Sequence, residues 1–145
     1  MPRLRLCGLL LLSCAWFSLA QPPAWRGTWI ATGAGPELSG NWTARLHTDP
    51  NVGQGTWTLF GLRGNEIASG TWSARKAASA WEGRWQVLTP SGRTYSGAWT
   101  ASLQAAPPAQ FSELLQSAVR EVVGGTWRMS RTQSGAWSIR AYPAQ

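Results

Sequence analysis

The chain has 145 residues, with thirteen Lys and Arg against six Asp and Glu, one His, two Cys and eleven Trp. A single histidine excludes a multi-histidine metal site, and basic residues scattered singly rather than in a stripe argue against a nucleic-acid partner. Both cysteines, Cys7 and Cys14, fall near the N-terminus, so the remainder is expected to hold together by packing, without disulfides.

Residues 1–20 read as a cleavable signal peptide. Arg3 and Arg5 form a positive n-region, Leu6 through Phe17 an apolar h-region, and Ser18-Leu19-Ala20 places small residues three and one before a cut that leaves Gln21 first. The apolar stretch is too short for a stable membrane anchor. Leu11-Leu12-Ser13-Cys14 offers a rival processing site, a lipoprotein box that would anchor the chain through Cys14. With Arg3 and Arg5 removed, eleven basic residues face six acidic ones, a charge of about +5. Residues 21–145 are long enough for one domain with a proper core.

A repeat organises that domain. Gly-x-Trp occurs eight times, ending at Trp29, Trp42, Trp57, Trp72, Trp85, Trp99, Trp127 and Trp137. The first six recur every 13 to 15 residues, which fits a strand of about eight residues plus a turn. Two residues past each Trp stand Ala31, Ala44, Leu59, Ala74, Val87, Ala101, Met129 and Ile139, all apolar, whereas seven of the eight residues directly after Trp are polar. That period of two puts Gly, Trp and the next apolar residue on one buried face of an antiparallel sheet and leaves the other face wet. A glycine two before each Trp leaves a hole in which a neighbouring indole can lie, an arrangement that pins strand register.

Turn chemistry separates the units at Gly33-Ala34-Gly35-Pro36, Asp49-Pro50-Asn51, Gly61 to Asn65 and Pro90-Ser91-Gly92; the turn at Lys76 to Ala80 is weakly marked. In the long gap after the sixth unit, Phe111, Leu114, Leu115, Ala118, Val119 and Val122 recur at helical spacing, predicting an amphipathic helix over about 108–122, opened by Pro107-Pro108 and stopped by Gly124-Gly125. The predicted fold is therefore all-β: an up-and-down antiparallel barrel of about eight strands with one helix between strands 6 and 7. A curved open sheet with the helix over its buried face is the alternative.

In such a meander both termini, the helix and the loops at 47–53 and 76–80 share one end, which the helix is expected to cover. The other end carries the loops at 32–37, 61–65, 89–93 and 131–134, with Arg63, Arg93 and Arg131 among them. Those arginines are candidate contacts for a carboxylate or phosphate, set around an apolar throat of Leu38, Leu59, Val87 and Tyr95. The eight repeat tryptophans are expected to be structural core, because an eight-stranded barrel is just wide enough to be filled by side chains. At about 200 Å² and 25 cal/mol per Å² each, their burial is worth roughly 40 kcal/mol gross.

No catalytic constellation emerges. His47-x-Asp49 beside Pro50 reads as turn chemistry, and the spacing of Glu37, Asp49, Glu66, Glu82, Glu113 and Glu121 predicts no facing carboxylate pair. Asn41-Trp42-Thr43 matches the N-glycosylation triplet, but mid-strand, where the match is read as chance. No metal or cofactor is expected.

Tyr95-x-Gly-x-Trp99 and Trp81-x-Gly-x-Trp85 resemble the core of a MORN repeat, although the second, His-Gly strand of that unit is missing. Gly27-Thr28-Trp29 resembles the opening strand of the avidins, eight-stranded barrels with Trp-lined ligand pockets, and a helix before the last hairpin is similar to its place in lipocalins. Each likeness spans a few residues per strand. The function expected from the residues is a non-catalytic binding module, secreted or periplasmic, for an anionic or amphipathic small ligand. The alternative is a rigid structural or interaction domain whose core is filled by Trp and takes no ligand.

Overall fold

The computed structural model describes residues 25–33, 35–103 and 107–143; the signal peptide and Cys14 lie outside them. Eight strands and one helix follow in the order β1 (Trp25–Thr32), β2 (Leu38–Leu46), β3 (Val52–Phe60), β4 (Glu66–Lys76), β5 (Trp81–Leu88), β6 (Thr94–Ser102), α1 (Phe111–Arg120), β7 (Val123–Arg128) and β8 (Ser134–Pro143). Each strand pairs antiparallel with the next, and β8 returns to β1, so the sheet closes as an eight-stranded barrel without free edges. The open-sheet alternative falls with the β1–β8 ladder, which runs from Trp25 opposite Pro143 to Thr32 opposite Ala136.

The Gly-x-Trp unit builds this wall by a reciprocal exchange. In β1–β2, Gly27 stands opposite Trp42 and Gly40 opposite Trp29. A Cβ at Gly27 would lie 2.7 Å from the Trp42 ring, and one at Gly40 would lie 2.8 Å from Trp29 Nε1. Thus each indole lies across the glycine of its hairpin partner. The same exchange joins Gly55 with Trp72 and Gly70 with Trp57, Gly83 with Trp99 and Gly97 with Trp85, and Gly125 with Trp137 and Gly135 with Trp127.

The other side of each glycine meets the next hairpin. A Cβ at Gly40 would strike the carbonyl oxygen of Thr58 on β3, and one at Gly27 that of Arg140 on β8. The indole that crosses the glycine then donates its N–H to that carbonyl. Trp29 Nε1 reaches Thr58 O at 2.9 Å and Trp42 Nε1 reaches Arg140 O at 3.2 Å. Trp72 reaches Thr43 O at 3.1 Å, Trp99 reaches Ser73 O at 3.1 Å and Trp127 reaches Thr32 O at 3.0 Å. Five indoles therefore fasten one hairpin to its neighbour through three successive strands. The other three depart from the pattern: Trp57 and Trp137 donate within their own hairpins, to Thr71 O at 3.2 Å and Thr126 O at 3.0 Å, and Trp85 Nε1 is buried without a partner.

Odd and even strands run in opposite directions, so the indoles form two rings of four. In each hairpin the odd-strand indole (Trp29, Trp57, Trp85 or Trp127) lies nearer the connecting turn, and the even-strand indole (Trp42, Trp72, Trp99 or Trp137) lies two residues farther from it. Within the first ring Trp29 meets Trp57 edge to face at 5.6 Å and Trp57 meets Trp85 at 6.5 Å. Within the second, Trp42 meets Trp72 at 6.4 Å and Trp99 meets Trp137 at 5.6 Å.

Helix α1 closes the end beside the second ring. Phe111, Leu114, Leu115 and Ala118 are its buried face, and the Phe111 ring sits 5.7 Å from Trp72 and 5.4 Å from Trp81. Gly53 gives that ring its space, since a Cβ there would press into it. Trp81, fully buried, donates to Pro108 O at 3.0 Å, and the Phe111 N–H donates to Pro50 O at 2.8 Å, tying the helix start to both neighbouring loops.

The helix is shorter than the 108–122 its spacing predicts. Glu113 accepts from the backbone N–H of Ala109 and Gln110, fixing the start at Phe111. The chain turns extended at Glu121, which leaves Val122 outside the helix; Val122, and Val119 within the last turn, stand exposed instead of joining the apolar face. Gly124-Gly125, predicted as the stop, lies inside β7, where Gly125 accommodates Trp137.

Candidate functional site

The interior between the two indole rings is not filled. A cavity of about 490 Å³ runs from a floor of Phe111, Leu114 and Leu115 past all eight repeat tryptophans to a throat near Leu38, Leu59, Val87, Thr89, Tyr95 and Met129. Its depth follows from the wall. From Leu38 to Trp42 the strand advances four residues, which at ~3.3 Å per residue and a tilt of ~40° gives about 10 Å.

Period two explains which side chains line it. Ala31, Leu59, Val87 and Met129, each two residues past a mouth-ring Trp, point inward on β1, on β3, on β5 and just after β7. On the even strands Leu38 and Ala68, two before Gly40 and Gly70, do the same. Among the described residues Thr89 and Tyr95 bring the hydroxyl groups of the lining, both at the throat. A shallower recess of about 240 Å³ adjoins the throat between the β1–β2 and β7–β8 loops, sharing Ala31, Leu38, Trp127 and Met129 with it.

The structure thus brings Leu38, Leu59, Val87 and Tyr95 to one wall, on three of the hairpins. Arg63, Arg93 and Arg131 stand exposed on the β3–β4, β5–β6 and β7–β8 loops at that same end and do not line the cavity. Among the described residues the ion pair formed is Arg75 with Glu82, 2.9 Å apart on the outer wall, so none of the three loop arginines is paired to a carboxylate there. The residues that the sequence reading passed over are the floor, Phe111, Leu114 and Leu115, together with Ala31, Ala68, Thr89 and Met129. Continuing the two-residue period signals Ala31, Ala68 and Met129. Nothing in the sequence says how far α1 enters the barrel.

The loops at the throat are short and held by their own backbones. Gly61 N–H donates to Asn65 O at 2.8 Å and Gly64 N–H to Gly61 O at 2.9 Å, with Gly64 at φ 75°. Gly92, at φ 80°, closes the β5–β6 turn, where Thr89 N–H donates to Arg93 O at 2.9 Å. Both positions need a residue without a Cβ.

Elsewhere the polar residues serve the fold. His47 Nδ1 accepts from the Asp49 N–H at 3.1 Å, and Asp49 Oδ1 accepts from the Asn51 N–H at 2.8 Å, an Asx turn that leads into β3. Among the described residues no three His, Cys, Asp or Glu side chains gather where a metal ion would sit. The outer wall carries Thr, Ser and Arg, with Thr43 and Thr56 hydrogen-bonded across β2–β3 at 2.7 Å. A barrel that spans a bilayer needs an apolar outer band instead. No helix of the described residues is long and apolar enough to cross a membrane.

Comparison with protein-family models, with curated proteins and with solved structures finds no match. The cavity must therefore be interpreted from its own chemistry.

Proposed function

We propose that this chain is an exported, non-catalytic binding module that holds an amphipathic small ligand, its apolar body between the indole rings and its polar end at the arginine-bearing loops. The observation that carries this reading is the apolar cavity of about 490 Å³, within the roughly 300–1,000 Å³ range of small-molecule sites. Among the described residues its lining below the throat is aliphatic and aromatic, with indole N–H groups as its polar atoms. A ligand with a charged or hydroxylated end would leave that group unsatisfied unless it entered tail first. An anionic head would then lie among Arg63, Arg93 and Arg131, while Thr89 and Tyr95 offer hydroxyls at the boundary. Export is part of this reading because residues 1–20 read as a signal peptide.

The test is titration of the purified full chain with 12-bromododecanoate, whose bromine quenches an indole on contact. The reading expects saturable quenching at one ligand per chain. It also expects Val87→Trp, which adds an indole at the throat, to abolish quenching without unfolding the protein. Quenching that rises without saturation and is unchanged in Val87→Trp would refute the binding module and leave the rigid interaction domain as the better account.

A further inference from the structure

The throat opens on a rim whose surface does not suit water. Leu62 is wholly exposed, at 106% of its reference area, on the β3–β4 turn. The two backbone hydrogen bonds of that turn keep it from folding back. Leu88, 58% exposed at the end of β5, and Ile30, Leu38, Ile67 and Tyr95 stand exposed at the same end. Exposed apolar side chains gathered at one end of a barrel mark a candidate interaction surface.

Arginines are interleaved with these side chains. Arg63 follows Leu62, Arg93 follows the β5–β6 turn, and Arg128 and Arg131 flank the start of the β7–β8 loop; Glu37 and Glu66 are the acids of the same end. The open end therefore carries exposed apolar side chains and two uncompensated positive charges around the opening of an apolar cavity. Protruding apolar side chains that enter the acyl boundary, with basic residues beside them, are the chemistry of attachment to anionic lipid.

We propose that the open end of the barrel docks on an anionic lipid surface, Leu62 and Leu88 entering the interfacial layer and Arg63, Arg93, Arg128 and Arg131 contacting lipid phosphates. The outer wall away from this end stays in water. The throat then faces the bilayer, so an amphiphile passes from membrane to cavity without crossing the aqueous phase. Only that last step rests on the cavity reading; the docking depends on the rim alone.

Co-sedimentation with phosphatidylcholine vesicles, with and without 30% phosphatidylglycerol, tests this in the full chain. The first twenty residues, with Arg3 and Arg5, are common to every variant, so the share of the rim is read from the differences between variants. One basic residue near an anionic surface is worth about fivefold, so two uncompensated charges predict roughly 25-fold tighter binding to the anionic vesicles, falling as salt rises. The pair Leu62→Asp with Leu88→Asp should lose at least tenfold. Leu46→Asp with Val122→Asp, exposed at the helix end, should stay within twofold, and all should keep the parent's near-ultraviolet circular dichroism.

Equal binding to both vesicles, or equal losses in the two pairs of variants, overturns the proposal. Absence of vesicle binding together with self-association that the rim pair abolishes would assign the rim to a second copy of the chain, and likewise overturns it. Failure here with saturable bromododecanoate quenching intact leaves the cavity reading standing. Vesicle binding without quenching leaves the docking and removes the cavity ligand.

Discussion

Replacing Gly40 by Ala tests the device that closes the barrel. The added methyl would strike the Thr58 carbonyl oxygen and lie 2.8 Å from Trp29 Nε1. Neither neighbour is the loose end of a flexible chain: Thr58 belongs to the β2–β3 ladder, and the indole is fixed by bonds of 2.9 Å to Thr58 O and 3.2 Å to Asn41 O. Strands β2 and β3 must separate, or the indole must leave. Overpacking typically costs about 1–3 kcal/mol, and a buried polar group left without its partner about 1–3 kcal/mol more, so roughly 3–5 kcal/mol is expected. For a domain of this size that lowers Tm by about 10–20 °C. Gly35→Ala is the control, because nothing lies within 4 Å of its added Cβ and its φ is outside the left-handed region; its stability should change by less than about 0.5 kcal/mol. Urea and thermal unfolding followed by tryptophan emission measure both. Gly40→Ala within about 1 kcal/mol of the parent, with native near-ultraviolet circular dichroism, would refute the reading that the indole-over-glycine contact joins the hairpins.

Three further predictions use the same contacts. Trp29→Phe removes a donor that serves Thr58 O and Asn41 O, whereas Trp85→Phe removes an N–H that has no partner; urea unfolding should find Trp85→Phe less costly by about 1 kcal/mol. Phe111→Ala empties the floor between Trp72 and Trp81 and should cost about 3–5 kcal/mol by the same assay. It should also let a bromoalkanoate longer than dodecanoate quench the helix-side indoles. Reversing the loop charges in Arg63→Glu, Arg93→Glu and Arg131→Glu should weaken quenching by bromododecanoate at least tenfold while leaving quenching by neutral bromododecane unchanged.

The architecture was legible because its signals are local and repeated. The Gly-x-Trp unit with an apolar residue two beyond each Trp states which face is buried eight times over, and turn residues fall between the units. Closure was legible only as an inference, since β1 pairs with β8 near the other end of the chain, Thr32 with Ala136 and Trp25 with Pro143. The helix is shorter than its spacing predicts at both ends, each for its own reason. Helical spacing continues through Val119 and Val122, but the start is fixed by Glu113 closing on Ala109 and Gln110, and the end by β7 claiming Val123 onward for the barrel. Of the candidate site, Leu38, Leu59 and Tyr95 followed from alternation, while Phe111, Leu114 and Leu115 did not, because the depth of a helix in a barrel depends on what is absent from the opposing wall, here the side chain at Gly53.

Alternation also cannot tell where an inward side chain lies once it is inside, and that decides the character of this protein. Eight indoles pointing at the axis of a small barrel would meet and fill it. Here each indole turns along the wall instead, because a glycine on the neighbouring strand admits its ring and, in five cases, a carbonyl on the strand beyond accepts its N–H. The backbone bonds and edge-to-face contacts that stabilise the barrel are thus made at its perimeter, and the axis stays vacant over about 490 Å³. Stability and vacancy come from the same two residues of the repeat. Substitutions at the glycines should therefore weaken the fold, whereas substitutions at Ala31, Ala68 or Val87, which line the cavity without taking part in the exchange, should alter what fits inside at little cost to the wall.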